Sequence, residues 1–441
     1  MSEVTLSQML NAREERVRIQ QSILNKHPFP LICFTMNIAG PVKTSPLIER
    51  AFYEGLKFID ENIPNELILL RHINISNTGC EAMLSVNMKA EDLKRTCVSI
   101  EESCPLGRLF DIDIIDTNGI KLERDSLRGC IVCGLPGREC AAGRLHSVNE
   151  LQKVTTKIIT EYFYLYDRDK IANIATNSLV QEVRTTPKPG LVDCRNNGSH
   201  NDMDINTFID SANALTPYFS ECFAIGCNTS KLKPEETFPL LRKAGIEAEK
   251  KMYAATKGVN THKGIVYSVG IICASIGRLW SPAAPIANLD EIFSQCAKIV
   301  KNSVKADFES IDNSTAGGHL YLKHGLTGIR GEVMAGFPSV RNISLPIYKK
   351  CLDTGFDSNF AGVITLLNLI AKVKDTNLYH RGGIVGAEFA VNTVSSLLKK
   401  SETPSTDDVI ALDDEFIKRN LSPGGCADLL AITYFLYSLE L

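Results

Sequence analysis

The segment GRLFDIDII, residues 107–115, decides how the N-terminal part of the chain is expected to fold. Its apolar residues alternate with Asp111 and Asp113, and this period of two is typical of a β-strand with one buried face. Residues i and i+2 of a strand point to the same side, so the two carboxylates are predicted to project side by side. Neighbouring carboxylates repel each other, and a divalent cation relieves that repulsion. Because oxygen ligands favour Mg²⁺, the strand is expected to carry a Mg²⁺ site, unless both aspartates merely face solvent on an edge strand.

Apolar runs rich in β-branched residues surround this strand, and turn signals separate them. The predicted strands are residues 31–34, 67–75, 97–100 and 109–115. Asn118-Gly119 stands in front of residues 120–122, which predicts a β-hairpin with a two-residue link. Residues 47–63 have helical spacing, and the first residues have the pattern of an amphipathic helix. The N-terminal part is therefore predicted to be α+β.

The pattern changes after residue 150. Residues 151–163 have helical spacing, and the polar stretch at residues 167–170 marks the expected domain boundary. Beyond it we predict long helices, among them an uncharged buried helix at residues 264–277 and a central one at 427–439 that is apolar nearly all round. Asp204 is a predicted N-cap, and Pro217 is expected to kink the helix that follows. We therefore predict an α+β domain at residues 1–166 and an all-α domain at residues 167–441.

Composition limits the classes of partner. The 441 residues suit two or three domains, and a net charge of −3 offers no footprint for a polyanion such as nucleic acid. Charged residues interrupt the N-terminal segment early, and no uncharged apolar run is long enough to span a bilayer, so we expect neither an export signal nor a membrane partner. The fourteen cysteines are spread along the chain, which indicates reduced thiols and a cytoplasmic location.

A cysteine- and histidine-rich segment follows the aspartate strand. It contains Cys130, Cys133, Cys140 and His146. A Cys-x-x-Cys pair followed by a cysteine and a histidine fits a tetrahedral structural Zn²⁺ site. The alternative is a set of buried free thiols beside a surface histidine. Arg138 and Arg144 lie in the same segment and are candidate phosphate ligands.

Loops at apparent helix starts concentrate the charged residues of the C-terminal part. They are residues 186–203, 260–264, 325–332, 375–383 and 422–428, where Ser422 is positioned to cap the last helix. Candidate phosphate ligands are Lys188, Lys263, Arg330 and Arg381, candidate Mg²⁺ ligands or bases are Asp193, Asp202, Glu332, Asp375 and Asp428, and candidate proton carriers are His200, His262 and His380. No Walker A sequence occurs, and no G-x-G-x-x-G follows a strand. The loops therefore predict a polyphosphate site within a helix bundle.

These loops resemble those of the triphosphoribosyl-dephospho-coenzyme A synthase family. The resemblance runs from about residue 171 to the end and rests on TPKPGLVD at 186–193, GSH at 198–200, NTHKG at 260–264, RGE at 330–332, HRGG at 380–383 and SPGG at 422–425. It implies that ATP and 3′-dephospho-coenzyme A are substrates, and that the 2′-hydroxyl of the coenzyme ribose attacks C1 of the ATP ribose and expels adenine. By residue type, the expected base is Asp202 or Glu332, the expected proton donor is His200 or His262, and the expected nucleotide ligands are Lys188, Lys263, Arg330, His380, Arg381, Gly424 and Gly425.

Residues from about 30 to 160 resemble the citrate lyase holo-carrier synthase family. GRLFDID at 107–113 and the cysteine–histidine segment carry that resemblance. It implies transfer of phosphoribosyl-dephospho-coenzyme A to a serine of the acyl-carrier (γ) subunit of citrate lyase, with release of pyrophosphate. The Asp-x-Asp motif also resembles the nucleotidyltransferase metal site, with Asp111 and Asp113 as catalytic Mg²⁺ ligands, Arg108 near the phosphates, and Glu123 or Asp125 as a third carboxylate. The two families act in sequence and fused forms are known, so the two resemblances support each other.

Two other functions fit the same residues. In the first, a Mg²⁺-dependent nucleotidyltransferase is fused to a helical phosphohydrolase, because helical sites rich in histidine and aspartate often hydrolyse phosphate esters. In the second, the cysteine–histidine segment is a zinc-stabilised docking module on a single enzyme domain. Free adenine supports the leading interpretation and free phosphate the first alternative. Carrier modification that survives loss of both aspartates supports the second.

Overall fold

The computed structural model describes residues 3–124, 128–284, 288–310 and 316–440. Its contacts divide the chain into two compact units. Unit 1 comprises Met1–Tyr166 with Ser281–Pro285, and unit 2 comprises Asp167–Trp280 with Ile286–Leu441. Within the described ranges, no helix combines the length and the apolar character that crossing a membrane requires.

Unit 1 contains a four-stranded antiparallel sheet. Its strands are β1 (Leu31–Met36), β2 (Ile68–Ser76), β3 (Gly79–Val86) and β4 (Phe110–Ile115), in the order β2-β3-β1-β4. β4 pairs with β1 so that Asp111 stands opposite Thr35 and Asp113 opposite Cys33. β4 is therefore an edge strand of this sheet. The antiparallel sheet and its helices confirm the predicted combination of strands and helices, whereas the nucleotidyltransferase likeness stays a prediction.

Unit 1 also contains helices, one of which contributes to the aromatic core of the sheet. They are α1 (Leu6–Lys26), α2 (Pro46–Asn62), α3 (Ala90–Ser103), α4 (Gly137–Ala142) and α5 (Val148–Arg184). Phe34 of β1 stacks on Phe52 of α2 with ring centroids 5.0 Å apart, and it meets Phe110 of β4 edge-on at 5.2 Å. Gly55 allows this packing, because a Cβ there would lie 2.5 Å from the Phe34 ring.

The predicted elements of unit 1 are confirmed except in three places. Residues 97–100 belong to α3 rather than to a strand, because Leu93, Cys97 and Ile100 form one buried helical face. β3 was not predicted at all. The hairpin after β4 is reduced to a single bridge between Ile115 and Lys121, and the Asp116 side chain accepts hydrogen bonds from the turn amides.

Unit 2 is helical. Besides the end of α5, it contains α6 (Ile205–Thr229), α7 (Phe238–Ala255), α8 (Lys263–Leu279), α9 (Leu289–Glu309), α10 (Ala316–His324), α11 (Gly328–Met334), α12 (Leu345–Asp353), α13 (Ser358–Lys372), α14 (Thr376–Lys400), α15 (Thr406–Lys418) and α16 (Gly424–Leu439). α5 runs without interruption through residues 167–170, the polar stretch at the expected domain boundary. α8 and α16 are buried, as their apolar sequences predicted.

Helix caps set the ends of several elements that lead to the site. Asp204 forms a capping box at the start of α6, as predicted, and α6 continues on both sides of Pro217. The cap predicted for α16 is wrong, because Ser422 is not its N-cap and bonds His200 instead. The Cys426 amide in the first turn of α16 instead donates to the Asp375 carboxylate, 2.7 Å away.

Close contact between α6 and α8 fixes the position of α8. A Cβ at Gly226 of α6 would lie 2.1 Å from the Ala274 carbonyl oxygen, and one at Gly277 of α8 would lie 2.1 Å from that of Phe223. Only glycine allows the two backbones to approach this closely. The first residues of α8 are thereby placed beside the candidate site of unit 2.

Candidate functional sites

A cavity of about 1020 Å³ lies beside β4 in unit 1. Its basic lining residues are Lys94, Arg108, Lys121, Arg124, Arg128 and Arg144, and its acidic ones are Glu101, Asp111, Asp113 and Glu123. The excess of cationic side chains suits a phosphorylated ligand, and the carboxylates suit a divalent cation.

Asp111 and Asp113 lie on the same face of β4, as the alternating sequence predicted. The residues on either side of them are buried, so the strand presents its carboxylates to the cavity and its apolar side chains to the core. Desolvation, and then the charge of Asp113, raise the pKa of Asp111. Lys121 Nζ lies 2.6 Å from Asp113 Oδ2. These residues fit a Mg²⁺ ion, because a cation between the carboxylates would offset both the desolvation and the repulsion.

Glu101 forms contacts on this face of the sheet that occupy both of its oxygens, so it is not an additional candidate metal ligand. Its Oε1 accepts the Ile112 amide at 3.0 Å, and its Oε2 lies 2.7 Å from Arg124. Burial raises the pKa of Glu101, and the arginines beside it act in the opposite direction. Of the two candidates for a third metal ligand, Glu123 lines the cavity, and Asp125 lies outside the described residues.

The segment after β4 is tied back to the strand by arginines. Arg128 donates to the carbonyl oxygens of Phe110 and Gly107, the latter at 2.6 Å. Arg108 donates to the carbonyl oxygen of Gly129 and also lines the cavity. Arg144 lines the cavity as well, whereas the side chain of Arg138 is outside the described part of the structure.

The predicted cysteine–histidine group is assembled in this segment. One potential ligand atom from each of Cys130, Cys133, Cys140 and His146 lies within 4.8 Å of all the others. These four side chains could therefore hold a metal ion together. Cys130, Cys140 and His146 also line the cavity of unit 1.

A second cavity, of about 450 Å³, lies in unit 2 where several helix ends meet. Of the candidate site residues predicted from the sequence, it gathers Lys188, His200, His262, His380, Arg381, Gly424 and Asp428. Asp202 is exposed next to it, with Oδ1 3.9 Å from His200 Nδ1. Gly425 packs against Asp375.

Three predicted residues lie elsewhere. Lys263 points to Glu249, with the charged atoms 3.4 Å apart, and Arg330 lies 3.9 Å from a carboxylate oxygen of Asp307. Glu332 is bonded to the backbone and hydroxyl of Ser339. The structure therefore does not bring these side chains to the cavity that contains the histidines.

Lys188 forms a buried ion pair with Glu182, a residue that we did not predict. Lys188 Nζ contacts the Glu182 carboxylate and lies 2.7 Å from the Glu182 carbonyl oxygen. Burial raises the pKa of Glu182, and the ammonium beside it opposes that shift. Glu182 lies within α5, and no loop sequence surrounds it. The one feature of the sequence that could have indicated it is its place, as an acidic residue, on the buried helix face that also carries Leu179.

Burial lowers the pKa of both histidines that were predicted as proton donors. Desolvation, with a smaller effect of Lys188, lowers the pKa of His262 to about 3, and its Nδ1 is 2.7 Å from Ser211 Oγ. Desolvation and then Arg381 lower the pKa of His200. Arg381 Nη1 lies 3.3 Å from His200 Nε2. Because arginine only donates, we assign the ring proton of His200 to Nδ1.

Asp428 of α16 has no competing structural role. It lines the cavity, and no hydrogen bond to its carboxylate exists within the described ranges. Burial, then the charges of Glu182 and Asp375, raise its pKa well above the ordinary range of an aspartate. Gly264 makes room for this carboxylate, because a Cβ there would lie 2.1 Å from Asp428 Oδ2.

The other buried aspartates hold the loops in place. Asp375 accepts the amides of Asn377 and Cys426 at 2.7 Å each, and it thereby caps both α14 and α16. Asp193 accepts the Lys188 amide at 2.8 Å. Asp413 accepts the Gly190 amide at 2.8 Å and contacts Arg195 at 2.6 Å. These contacts leave little carboxylate capacity for a substrate or a metal ion.

Comparison with known proteins supports both halves of the chain. Residues 168–441 match the ATP:dephospho-CoA triphosphoribosyl transferase family, and residues 4–162 match the apo-citrate lyase phosphoribosyl-dephospho-CoA transferase family. Protein CitXG of Haemophilus influenzae is 35% identical over 460 residues, which cover 100% of this chain and 97% of the relative. Protein CitXG of Leuconostoc mesenteroides is 34% identical over 468 residues, with 99% and 97% covered. A probable 2-(5''-triphosphoribosyl)-3'-dephosphocoenzyme-A synthase of Vibrio cholerae is 41% identical over 275 residues, with 61% of this chain and 88% of the relative covered.

Each of the two units has a cavity lined by basic side chains and carboxylates, and each matches a transferase family, so the chain is a bifunctional transferase. The chain belongs to the ATP:dephospho-CoA triphosphoribosyl transferase family, with a unit of the apo-citrate lyase phosphoribosyl-dephospho-CoA transferase family ahead of it. Both resemblances drawn from the sequence are thereby confirmed.

Proposed function

We propose that the two units make and attach the prosthetic group of citrate lyase in two consecutive reactions. The helical unit joins ATP to 3′-dephospho-coenzyme A and releases adenine. The N-terminal unit then transfers the phosphoribosyl product to a serine of the acyl-carrier subunit and releases pyrophosphate. The observation that carries the proposal is Asp428, a desolvated carboxylate without a hydrogen bond in the described structure, in a cavity that also contains Lys188 and Arg381.

We assign the base of the first reaction to Asp428. The new bond joins the 2′-oxygen of the coenzyme ribose to C1 of the ATP ribose, and the bond from C1 to adenine breaks. The hydroxyl loses one proton and adenine gains one, so the protons balance. A carboxylate with a raised pKa is a stronger base than an ordinary aspartate and is suited to accept the hydroxyl proton. Asp428 and Glu182 line the same cavity, and their carboxylates would stabilise the positive charge that develops on the ribose.

The rest of the cavity fits the phosphates of ATP. Arg381 and the exposed His380 lie on α14, and Gly424 lies at the start of α16. The N-terminus of a helix favours an anion, because its amides and its dipole face outward there. Asp202 stays close enough to His200 to influence its protonation, with 3.9 Å between the nearest atoms. This placement favours a positioning role for Asp202 over the role of base.

The cavity of unit 1 suits the second reaction. Asp111 and Asp113 would hold Mg²⁺, which neutralises the phosphates and the departing pyrophosphate when it is bound. Arg108 and Arg144 line the same cavity and are suited to bind phosphate oxygens. The serine hydroxyl of the carrier would attack the phosphorus next to the ribose, and pyrophosphate would leave. None of the fourteen cysteines forms a disulfide, which fits our proposal that the protein works in the cytoplasm.

One reaction mixture tests both halves. The full chain is incubated with ATP, Mg²⁺, 3′-dephospho-coenzyme A and the apo acyl-carrier subunit. Adenine and pyrophosphate are quantified, and the carrier is weighed by mass spectrometry. Adenine release that needs dephospho-coenzyme A, together with a carrier heavier by one phosphoribosyl-dephospho-coenzyme A, is expected.

A double variant, Asp111→Asn with Asp113→Asn, separates the two reactions. We expect it to release adenine at the parent rate and to leave the carrier unmodified. Free phosphate in place of adenine would favour the phosphohydrolase function. Carrier modification by the double variant would favour the docking module and contradict the assigned metal site.

A further inference from the structure

We infer that Cys130, Cys133, Cys140 and His146 bind one structural Zn²⁺ ion, which fixes the wall of the cavity that faces Asp111 and Asp113. Neither reaction proposed above requires this site. The four side chains come from a stretch of seventeen residues, 130–146, and their ligand atoms lie within 4.8 Å of one another. In a tetrahedral site with Zn–S bonds of about 2.3 Å, ligand atoms lie roughly 3.5–4 Å apart. Closure around an ion therefore requires only a small contraction.

The backbone around Cys130 has the form of a metal-binding turn. The Val132 amide donates to Cys130 Sγ at 3.4 Å, and the Gly134 amide donates to the Cys130 carbonyl oxygen at 3.0 Å. Gly134 has a φ of 76°, a left-handed conformation that glycine adopts without strain. This turn points the two sulfurs of the Cys-x-x-Cys pair to the same side, and the amide donor favours the thiolate form that a metal binds.

His146 provides a second, independent observation. Its Nδ1 lies 3.3 Å from Glu150 Oε2, one helical turn further along the chain. Its Nε2 is buried, and no hydrogen-bond partner for it exists among the described residues. A buried polar nitrogen without a partner is costly. Histidines bound to zinc usually have this arrangement, in which a carboxylate contacts one ring nitrogen and the other ring nitrogen is free to bind the metal.

The number of ligands indicates a structural rather than a catalytic ion. Three thiolates and one imidazole complete a tetrahedral shell, which leaves no position for water or substrate. Sulfur and nitrogen donors also select Zn²⁺ over Mg²⁺. The site follows Arg128 and Gly129 directly, and these two residues make the contacts to Gly107, Arg108 and Phe110 described above. Zinc would therefore hold the segment that closes the cavity against β4.

Metal analysis of the full chain tests the proposal. We expect the protein, purified under reducing conditions without chelator, to contain about one Zn²⁺ per chain. Cys133→Ser and His146→Ala should lose most of it, whereas Cys194→Ser, which removes an exposed thiol of unit 2, should keep it. His146→Cys preserves four soft ligands and should retain zinc. Glu150→Gln should weaken zinc affinity about 10–100-fold.

Cobalt substitution gives a readout that does not depend on activity. Co²⁺ bound by three thiolates should give intense thiolate-to-metal absorption, which Cys133→Ser should diminish and Cys194→Ser should leave unchanged. Adenine release by unit 2 should persist in all these variants, because the substitutions in the zinc site lie in unit 1. A folded parent protein without zinc, or a Cys133→Ser variant that keeps one zinc per chain, would overturn the proposal, whatever the outcome for carrier transfer.

Discussion

Asp428→Asn tests the assigned base, because it removes the charge and keeps the shape of the side chain. The carboxylate makes no hydrogen bond in the described ranges, so the amide breaks none. Loss of a general base lowers the rate about 10²–10⁴-fold, which corresponds to about 2.7–5.4 kcal/mol of transition-state stabilisation. We therefore expect the rate of adenine release to fall by roughly two to four orders of magnitude.

The same substitution should not destabilise the fold. Asp428 has a higher pKa in the folded chain than in the unfolded chain, because burial and two neighbouring carboxylates disfavour its charge. The folded state then binds the proton more tightly. The parent protein loses stability as the pH rises from the unfolded pKa of about 3.9 through the folded pKa, at about 1.36 kcal/mol for each pH unit between the two values. The asparagine variant lacks this loss, so its relative stability should rise over that pH range.

The assay measures adenine by chromatography and the thermal midpoint by calorimetry over a series of pH values. The parent kcat/KM should fall on the acidic side as Asp428 becomes protonated, and this limb should be absent from the variant. Asp353→Asn is a matched control, because Asp353 is an exposed aspartate at the end of α12. Glu332→Gln tests the competing base predicted from the sequence. A folded Asp428→Asn variant with a rate within about tenfold of the parent would refute the assignment. The assignment would also be refuted if Glu332→Gln abolished adenine release and Asp428→Asn did not.

Three further perturbations act at other points of the structure. Gly264→Ala should displace the Asp428 carboxylate, because the new Cβ would lie 2.1 Å from it. Adenine release should therefore fall while the thermal midpoint changes little. An unchanged rate would argue against the position of that carboxylate. Asp413→Ala removes a fully buried acceptor of the Gly190 amide and the Asn196 side chain, while Arg195 keeps its ion pair with Asp414, and denaturant titration should give a loss of about 2–4 kcal/mol. Desolvation and the charge of Asp113 raise the pKa of Asp111, so carrier transfer at limiting Mg²⁺ should decline on acidification at a higher pH than it would with an ordinary aspartate. A tenfold excess of Mg²⁺ should shift that decline to lower pH. A pH profile independent of Mg²⁺ would count against metal binding by Asp111.

The arrangement of side chains at the candidate site of unit 1 could be predicted because its pattern is local. Alternation along one strand places Asp111 and Asp113 together, and a seventeen-residue segment contains the whole cysteine–histidine group. Periodicity failed at Cys97, where a short apolar run in a helix resembles a strand. It also failed at β3, which is buried on nearly its whole length and so lacks alternation.

The site of unit 2 was harder, because residues far apart in the sequence form it. His262 and Lys263 are neighbours, yet one is buried beside Ser211 and the other is exposed beside Glu249. The direction of a side chain at a helix start depends on packing, which the loop sequence does not contain. Glu182 was missed because it lies inside a helix. Asp428 was among the candidate acids, but only its lack of hydrogen bonds distinguishes it from Asp375.

Asp375 also has a consequence for how substitution data on this family are interpreted. One carboxylate caps α14 and α16, which carry Arg381 and Asp428 to the same cavity. A mutational scan scored by activity would rank Asp375 with the reacting groups, because its loss would disorder both helix starts at once. Substrate affinity and unfolding measured on the same variants would separate the two roles. Intolerance to substitution at Asp375 would then indicate that one carboxylate holds the starts of two helices that bind the substrate, and not that Asp375 contacts the nucleotide.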